Sequence, residues 1–508
     1  MKTRNKILLT VFTVLVFVGI VNVHAITTNN QSGTTDPNSK YVTDKATLSV
    51  TGVDAGDQFS AYKILDAYYN QTSNEVTYEF TDDFEEFLNQ SSNYRDFTVD
   101  DYYDLTSGNI TSGSTKTTST LDKLASAYAS YIKTESVNGT AMNVSGTTAS
   151  QTLEAGSYLV LPTTTMKVYA VMVGNLDFTA NGDTWNINNE TIVAKVSDAG
   201  VTKSVGTEGY TEGSYSIGDE ITYIVKGTVP AYPTNATNKT YIIKDTISAG
   251  LDYSGIDSVI VQDGETTLTT ASNGNVTNQS GQTVANIAIQ GKNLTITFNL
   301  DNVTSTIVTV TYGARLNENA ALGSVGNANN ASLTYSNDPY GTGTYDTATD
   351  VSGGDDTTVY LYGLELFKYT DDSGSSRTPL SGAEFEVYSN ADLASNHLVG
   401  TITTDGDGIG TLKGIASGTY YVKEIKAPSG YQLLRDAIEI EIGPDGTLEE
   451  ADEEGYYRLD VANAAVGFLP STGSVGTIAL TLVGLVIVIG AFYFFFVYRK
   501  KKDKQESK

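Results

Sequence analysis

Through most of its length the chain alternates apolar and polar residues with a period of two. The runs Ile221–Val225, Leu294–Phe298 and Ile307–Val310 are the clearest cases, and Gly, Asn and Asp cluster between such runs. Successive side chains of a strand point to opposite faces, so this alternation buries one face and wets the other. Short strands of this kind at regular spacing predict a mainly β chain of tandem immunoglobulin-like β-sandwich domains. The 33 tyrosines suit half-buried strands, and the nine prolines are few for so long a chain. Residues 44–196 form an N-terminal domain with a few short helices. Thr81 is expected to cap one, with Phe84, Phe87 and Leu88 on its inner face. Thr120 is expected to cap another, striped by Leu121, Leu124, Tyr128, Tyr131 and Ile132. Strands are expected at Tyr158–Leu161 and Val168–Val173. Residues 197–356 read as a middle β-sandwich and 357–466 as a shorter one.

Both ends read as processing signals. Lys2, Arg4 and Lys6 precede an uncharged apolar run, Ile7–Val21, and then Val23-His24-Ala25. This is the pattern of a secretory signal peptide over 1–25, cut between Ala25 and Ile26. A polar leader, expected to be flexible, follows over 26–43. At the other end, residues 467–508 hold Leu469-Pro470-Ser471-Thr472-Gly473, an uncharged stretch from Ser474 to Tyr498, and the cluster Arg499-Lys500-Lys501-Lys502. That stretch is long enough to cross a bilayer, and the cationic cluster holds the tail inside. The precursor is therefore expected to span the membrane once, with its body outside the cell.

Composition narrows the function. The two processed ends carry nine of the 31 basic residues and two of the 59 acidic ones, which leaves a body of 22 basic and 57 acidic residues and net charge −35. Such a field disfavours nucleic acid and anionic membranes as partners. With no cysteine there is neither a disulfide brace nor thiol chemistry. His397 is the one histidine outside the signal peptide, so a Ser-His-Asp triad could rest only on it, and Cys/His zinc sites are excluded. The run Asp405-Gly406-Asp407-Gly408 lacks the later Glu of an EF-hand and reads as a turn. No cofactor or metal is expected, nor a turnover enzyme.

What the alternation does place is reactive polar residues on apolar faces. Leu364, Leu366 and Lys368 share one face; Tyr420, Val422 and Glu424 share another; Leu459, Val461 and Asn463 share a third. A buried lysine loses its charge and becomes a nucleophile. A buried glutamic acid can keep its proton and polarise the Asn amide. Lys368 could then attack Asn463, expel ammonia and leave an isopeptide bond, once per molecule. Residues 197–356 repeat the pattern. Val201, Lys203 and Val205 alternate, as do Ile243, Asp245 and Ile247, and Asn329 leads Ala331, Leu333 and Tyr335. Asn330 replaces Asn329 if the register slips by one, and Glu220 is an alternative acid to Asp245. No such triplet is found in 44–196.

These features resemble known families. Pro379–Phe385, Thr403–Gly408, Gly418–Glu424 and Ala427–Tyr431 are similar to the second strand, the hairpin turn and the E-box of Cna-B-type surface domains. The Lys203–Asp245–Asn329 set resembles that of Cna-A-type or pilin middle domains. The C-terminal tripartite signal resembles the substrate signal of sortases, which cut between Thr472 and Gly473 and pass the Thr carbonyl to an amine. Together they resemble Gram-positive major, or shaft, pilins. That family offers a lysine after a Trp and a β stretch ending in Tyr-Pro-Lys. Here Trp185 precedes Thr191-Ile192-Val193-Ala194-Lys195, with Val193-Ala194 in place of Tyr-Pro. The resemblance implies a covalent surface pilus that joins Thr472 of one copy to Lys195 of the next. Its expected partners are sortase, further copies, accessory pilins, peptidoglycan and a host ligand. The alternative is a monomeric wall-anchored adhesin or accessory pilin that binds a host ligand.

Overall fold

In the computed structural model the described residues are 41–465, apart from 43, 71, 73–74, 108–117, 182–183, 234, 347–354, 371–376, 444–447 and 449–454, together with 488–489 and 491–493. The signal peptide with its Ala25–Ile26 cut, nearly all of the leader, and the pentapeptide Leu469–Gly473 lie outside them. So does nearly all of the Ser474–Tyr498 stretch. Among the described residues no helix is long and apolar enough to cross a membrane.

Strands dominate, and they group into two compact units. One unit takes the described residues up to Gly213, Gly218–Asn319 and Asn327–Val359; the other takes Ser214–Ile217, Ala320–Gly326 and the residues from Tyr360 on.

The first part of the first unit is built on the long strand Gln58–Asn70, which pairs with Gly156–Thr164 and Glu75–Phe80. A second sheet sets Lys45–Thr51 between Thr148–Glu154 and Glu190–Val193, the last running parallel. The expected strand at 168–173 is broken into Val168–Tyr169 and Met172–Leu176. Among the described residues of this part are three helices, Asp82–Gln90, Val99–Ser107 and Thr118–Glu135. Phe84, Phe87, Leu88, Leu121, Leu124, Tyr128 and Ile132 are buried in one core with Ile64 and Leu159.

Both caps differ from expectation. Thr81 stands at the N-cap position, but its hydroxyl donates to Lys63 O at 3.0 Å and caps nothing. Thr120 lies inside a helix that begins at Thr118. The middle helix, which the apolar pattern alone does not announce, has a reciprocal cap: Asp101 N donates to Thr98 Oγ1 at 3.2 Å, and Thr98 N to Asp101 Oδ2 at 3.0 Å.

The rest of that unit is a sandwich of two sheets. One runs Gly200–Val205, Glu220–Thr228, Ile307–Leu316, Ile260–Asp263. The other sets Tyr241–Ile247 between Asn327–Tyr335 and Asn293–Phe298. The second unit is a smaller sandwich. Its first long strand, Tyr362–Thr370, lies between Ile409–Ile415 and the last strand, Tyr456–Ala462, which is parallel to it. The facing sheet runs Leu398–Thr403, Glu384–Tyr388, Gly418–Lys426, Ile438–Ile442.

Candidate functional site

In the first unit's sandwich, Lys203, Asp245 and Asn329 are all buried. They come from different layers: Lys203 from one sheet, Asp245 and Asn329 from adjacent strands of the other. Lys203 Nζ donates to Asp245 Oδ2, to Asn329 Oδ1 at 2.5 Å and to Tyr312 Oη at 2.9 Å. Asn329 Nδ2 donates to the same Tyr312 oxygen at 2.9 Å. Tyr253 Oη donates to Asp245 Oδ1 at 2.8 Å and holds the carboxylate in place. The rings of Tyr223 and Tyr312 stack at 5.5 Å, with the lysine nitrogen over both. In this apolar box burial pushes the Lys203 amine down to about 8, against the opposing pull of Asp245.

The two alternatives fall away. Asn330 is exposed, because it is one residue out of phase with Asn329, Ala331 and Leu333. Glu220 is exposed and pairs with Arg315 at 2.6 Å.

In the second unit, Lys368, Glu424 and Asn463 are likewise buried. Here Lys368 and Asn463 belong to neighbouring strands of one sheet: Lys368 lies opposite Val461, and Asn463 N donates to Tyr369 O at 2.9 Å. The acid comes from the facing sheet. Glu424 Oε1 is 3.6 Å from Lys368 Nζ and accepts from Asn463 Nδ2 at 3.1 Å. Its Oε2 accepts the backbone N–H of Leu434 at 2.7 Å, just past the Ala427–Tyr431 turn. Burial pushes Lys368 down to about 8, again opposed by its acid.

Asn463 Oδ1 is buried without a hydrogen-bond partner among the described residues. An orphaned carbonyl oxygen costs about 1–3 kcal/mol.

Gly408 fixes the lysine strand from the side. Lys368 N donates to Gly408 O at 2.7 Å, and a Cβ on Gly408, whose φ is +75°, would stand 2.5 Å from Lys368 O. The Asp405 carboxylate closes that turn by accepting Asp407 N and Ile409 N at 3.0 Å each, as an ordinary turn residue does.

Lys195 sits just beyond the strand Glu190–Val193. Its main chain is pinned: Ala194 N donates to Thr51 O at 2.8 Å, and Lys195 O accepts Ala170 N at 3.0 Å. The side chain is half-buried. Burial lowers its pKa, and Asp122, on the helix Thr118–Glu135, opposes the shift. Trp185 packs on the helical core, its ring 6.2 Å from that of Tyr69. Within 44–196 no lysine among the described residues is buried. His397 is held at the surface by Asp392 at 2.9 Å and Asn396 at 3.0 Å. No group of carboxylates and histidines suited to a metal occurs among the described residues.

Tyr312 and Tyr253 join the first site without having been singled out by sequence. Tyr312 alternates with Val308, Val310 and Ala314 and reads there as a core aromatic.

Comparison with known proteins bears on each part. Residues 217–339 match the Gram-positive pilin backbone subunit 2, Cna-B-like domain; 366–454 match the SpaA prealbumin-like fold domain; 464–504 match the LPXTG cell wall anchor motif. A trypsin-resistant surface T6 protein of Streptococcus pyogenes is 28% identical over 388 residues, covering 61% of this chain and 71% of the relative. A type 1 fimbrial subunit of Actinomyces viscosus is 26% identical over 393 residues, covering 66% and 72%. The fold is that of the T6 backbone pilin of S. pyogenes, with TM-score 0.62 at 23% identity over 79% of this chain and 80% of that one. The major pilin SpaD of Corynebacterium diphtheriae superposes with TM-score 0.50 at 17% identity over 84% and 98%.

Proposed function

From a chain that carries pilin-type domains and a wall-anchor motif, we propose a repeating shaft subunit of a covalent surface pilus, braced by two internal Lys–Asn bonds. The observation that carries this reading is the pair of buried Lys–acid–Asn sets; the pilin backbone match spans Asp245 and Asn329, and the prealbumin-like match spans Lys368 and Glu424. The anchor motif and the fimbrial relatives put the chain on the cell wall.

The chemistry follows from the geometry. Each lysine, depressed to about 8, offers a neutral amine to an Asn carbonyl carbon, the neighbouring acid moves the protons, and ammonia leaves. The bonds Lys203–Asn329 and Lys368–Asn463 close loops of 126 and 95 residues. By analogy with disulfides, each adds about 4–5 kcal/mol by restricting the unfolded chain, and neither can be reduced. Sortase then joins the carbonyl of Thr472 to the amine of Lys195 on the next copy. The last copy goes to peptidoglycan, and accessory pilins join by the same chemistry. Lys203 is spent internally, whereas Lys195 is half-buried at a strand end, where an enzyme has less to displace.

The test is an immunoblot of boiled wall extract from the native host. A high-mass ladder that collapses to monomer in Lys195→Ala is the expected result. A ladder that survives the substitution rejects Lys195. A wild-type monomer band alone favours the anchored adhesin.

A further inference from the structure

The two cross-link sites differ in which group faces the nitrogen that must leave. In the second unit Glu424 reaches both reactants, 3.6 Å from Lys368 Nζ and 3.1 Å from Asn463 Nδ2, and the aromatic neighbour is Phe385, which has no proton to give. In the first unit the acid is Asp245, one methylene shorter. Tyr312 Oη lies 2.9 Å from Lys203 Nζ and 2.9 Å from Asn329 Nδ2, so it touches the nucleophile and the leaving group together. We infer that Tyr312 is a catalytic residue of the Lys203–Asn329 cross-link, relaying a proton from Asp245 to the departing amide nitrogen. The inference rests on the cross-link reading above and adds to it a proton donor at the site where Phe385 stands in the other sandwich among the described residues.

The placement is over-determined. Tyr312 lies mid-strand, opposite Tyr223 in register and stacked on it, and Tyr253 packs on its other side at 5.7 Å. Lys203 Nζ links the phenol to Asp245 by donating to both. Burial and the Asp245 charge hold it far above its ordinary pKa, so it stays protonated until its proton is taken.

The steps balance. Lys203 passes one ammonium proton to Asp245, and its freed lone pair attacks Asn329 Cγ. As the amide nitrogen turns tetrahedral and basic it takes the Tyr312 proton, and Asp245 refills Tyr312. The Cγ–Nδ2 bond breaks and ammonia departs. The surplus proton on Nζ goes to Asp245, which ends protonated beside the new amide. Three lysine protons are thus divided among ammonia, the acid and the amide, and no oxidant or cofactor enters.

The test is cell-free synthesis of the full chain with acid quenching at intervals. Digestion and mass spectrometry then follow the two cross-linked peptides separately. Tyr312→Phe should slow the Lys203–Asn329 bond on the order of 10²–10⁴-fold, as loss of a general acid does, and leave the Lys368–Asn463 bond at its wild-type rate. Both bonds forming at wild-type rates in Tyr312→Phe would overturn the inference. Fluorotyrosines at position 312 keep the shape while acidifying the phenol, and they answer the objection that Phe merely disturbs folding. The rate should rise with phenol acidity, and a flat series would assign Tyr312 a packing role only. A wild-type chain that never forms the Lys203–Asn329 bond would instead sink the cross-link reading itself.

Discussion

A buried amine, carboxyl and amide meet in two architectures. In the first unit Lys203 and Asn329 lie on opposite sheets, so a bond between them staples the layers of a sandwich together. In the second unit Lys368 and Asn463 lie on the first long strand and the last, which are parallel neighbours, and the acid reaches across from the other sheet. The second bond would tie the strand where the sandwich begins to the strand where it ends, so tension on the chain would load a covalent link before any ladder of hydrogen bonds. The first would resist separation of the sheets. The acid follows the architecture. A glutamate crossing from the facing sheet spans both reactants, while an aspartate on the strand beside the Asn leaves the amide nitrogen to a tyrosine.

The sharpest way to break this comparison is to remove each lysine in turn. Lys368→Ala and Lys203→Ala should each lose one bond and about 4–5 kcal/mol in their own sandwich, seen in calorimetry as one lowered transition with the other unmoved. Loss of both transitions together would mean that the two sites are not independent. Next in size is pH. Both lysines are depressed to about 8 from the ordinary 10.5, so the unbonded folded chain binds fewer protons than the unfolded chain between those values. Stability of the unbonded chain therefore rises with pH across that window. Bond formation needs the neutral amine beside the protonated acid, which together carry the same number of protons as the ion pair, so its rate should hold level below pH 8 and fall as pH rises past it and that proton is lost. A rate that climbs with pH through 8 would contradict the shared proton.

A smaller effect sharpens the second site. Gly408→Ala forces a side chain into a left-handed position and against the Lys368 carbonyl. It should cost about 1–3 kcal/mol and slow the Lys368–Asn463 bond while sparing the other. Smallest of all, Asn330→Ala and Glu220→Gln change exposed residues. Both should leave the bonds intact and stability within about 0.5 kcal/mol.

Much of each site was legible because strands have an unambiguous period. Asn329 is distinguished from Asn330 by its phase with Ala331, Leu333 and Tyr335, and Lys368 by its phase with Leu364 and Leu366. The buried lysines, acids and asparagines thus announced themselves as polar residues on apolar faces. Tyr312 did not, because a tyrosine in phase with valines is what any sandwich core contains. Only its hydroxyl's meeting with Lys203, two strands away in its own sheet, and with Asn329 of the other sheet gives it chemistry, and that is a tertiary fact. The helix Val99–Ser107 was missed for a different reason. It is short and rich in aspartate, and its Thr98–Asp101 cap is a stronger signal than its apolar spacing. Thr81 sits where a cap belongs, yet the neighbouring strand's Lys63 carbonyl takes its hydroxyl, a competition no local pattern reveals.

The most direct measurement is the intact mass of the mature chain after full denaturation. The account predicts a mass short of the sequence by two ammonias, with Lys203–Asn329 and Lys368–Asn463 recovered as cross-linked peptides. An unshifted mass would contradict it.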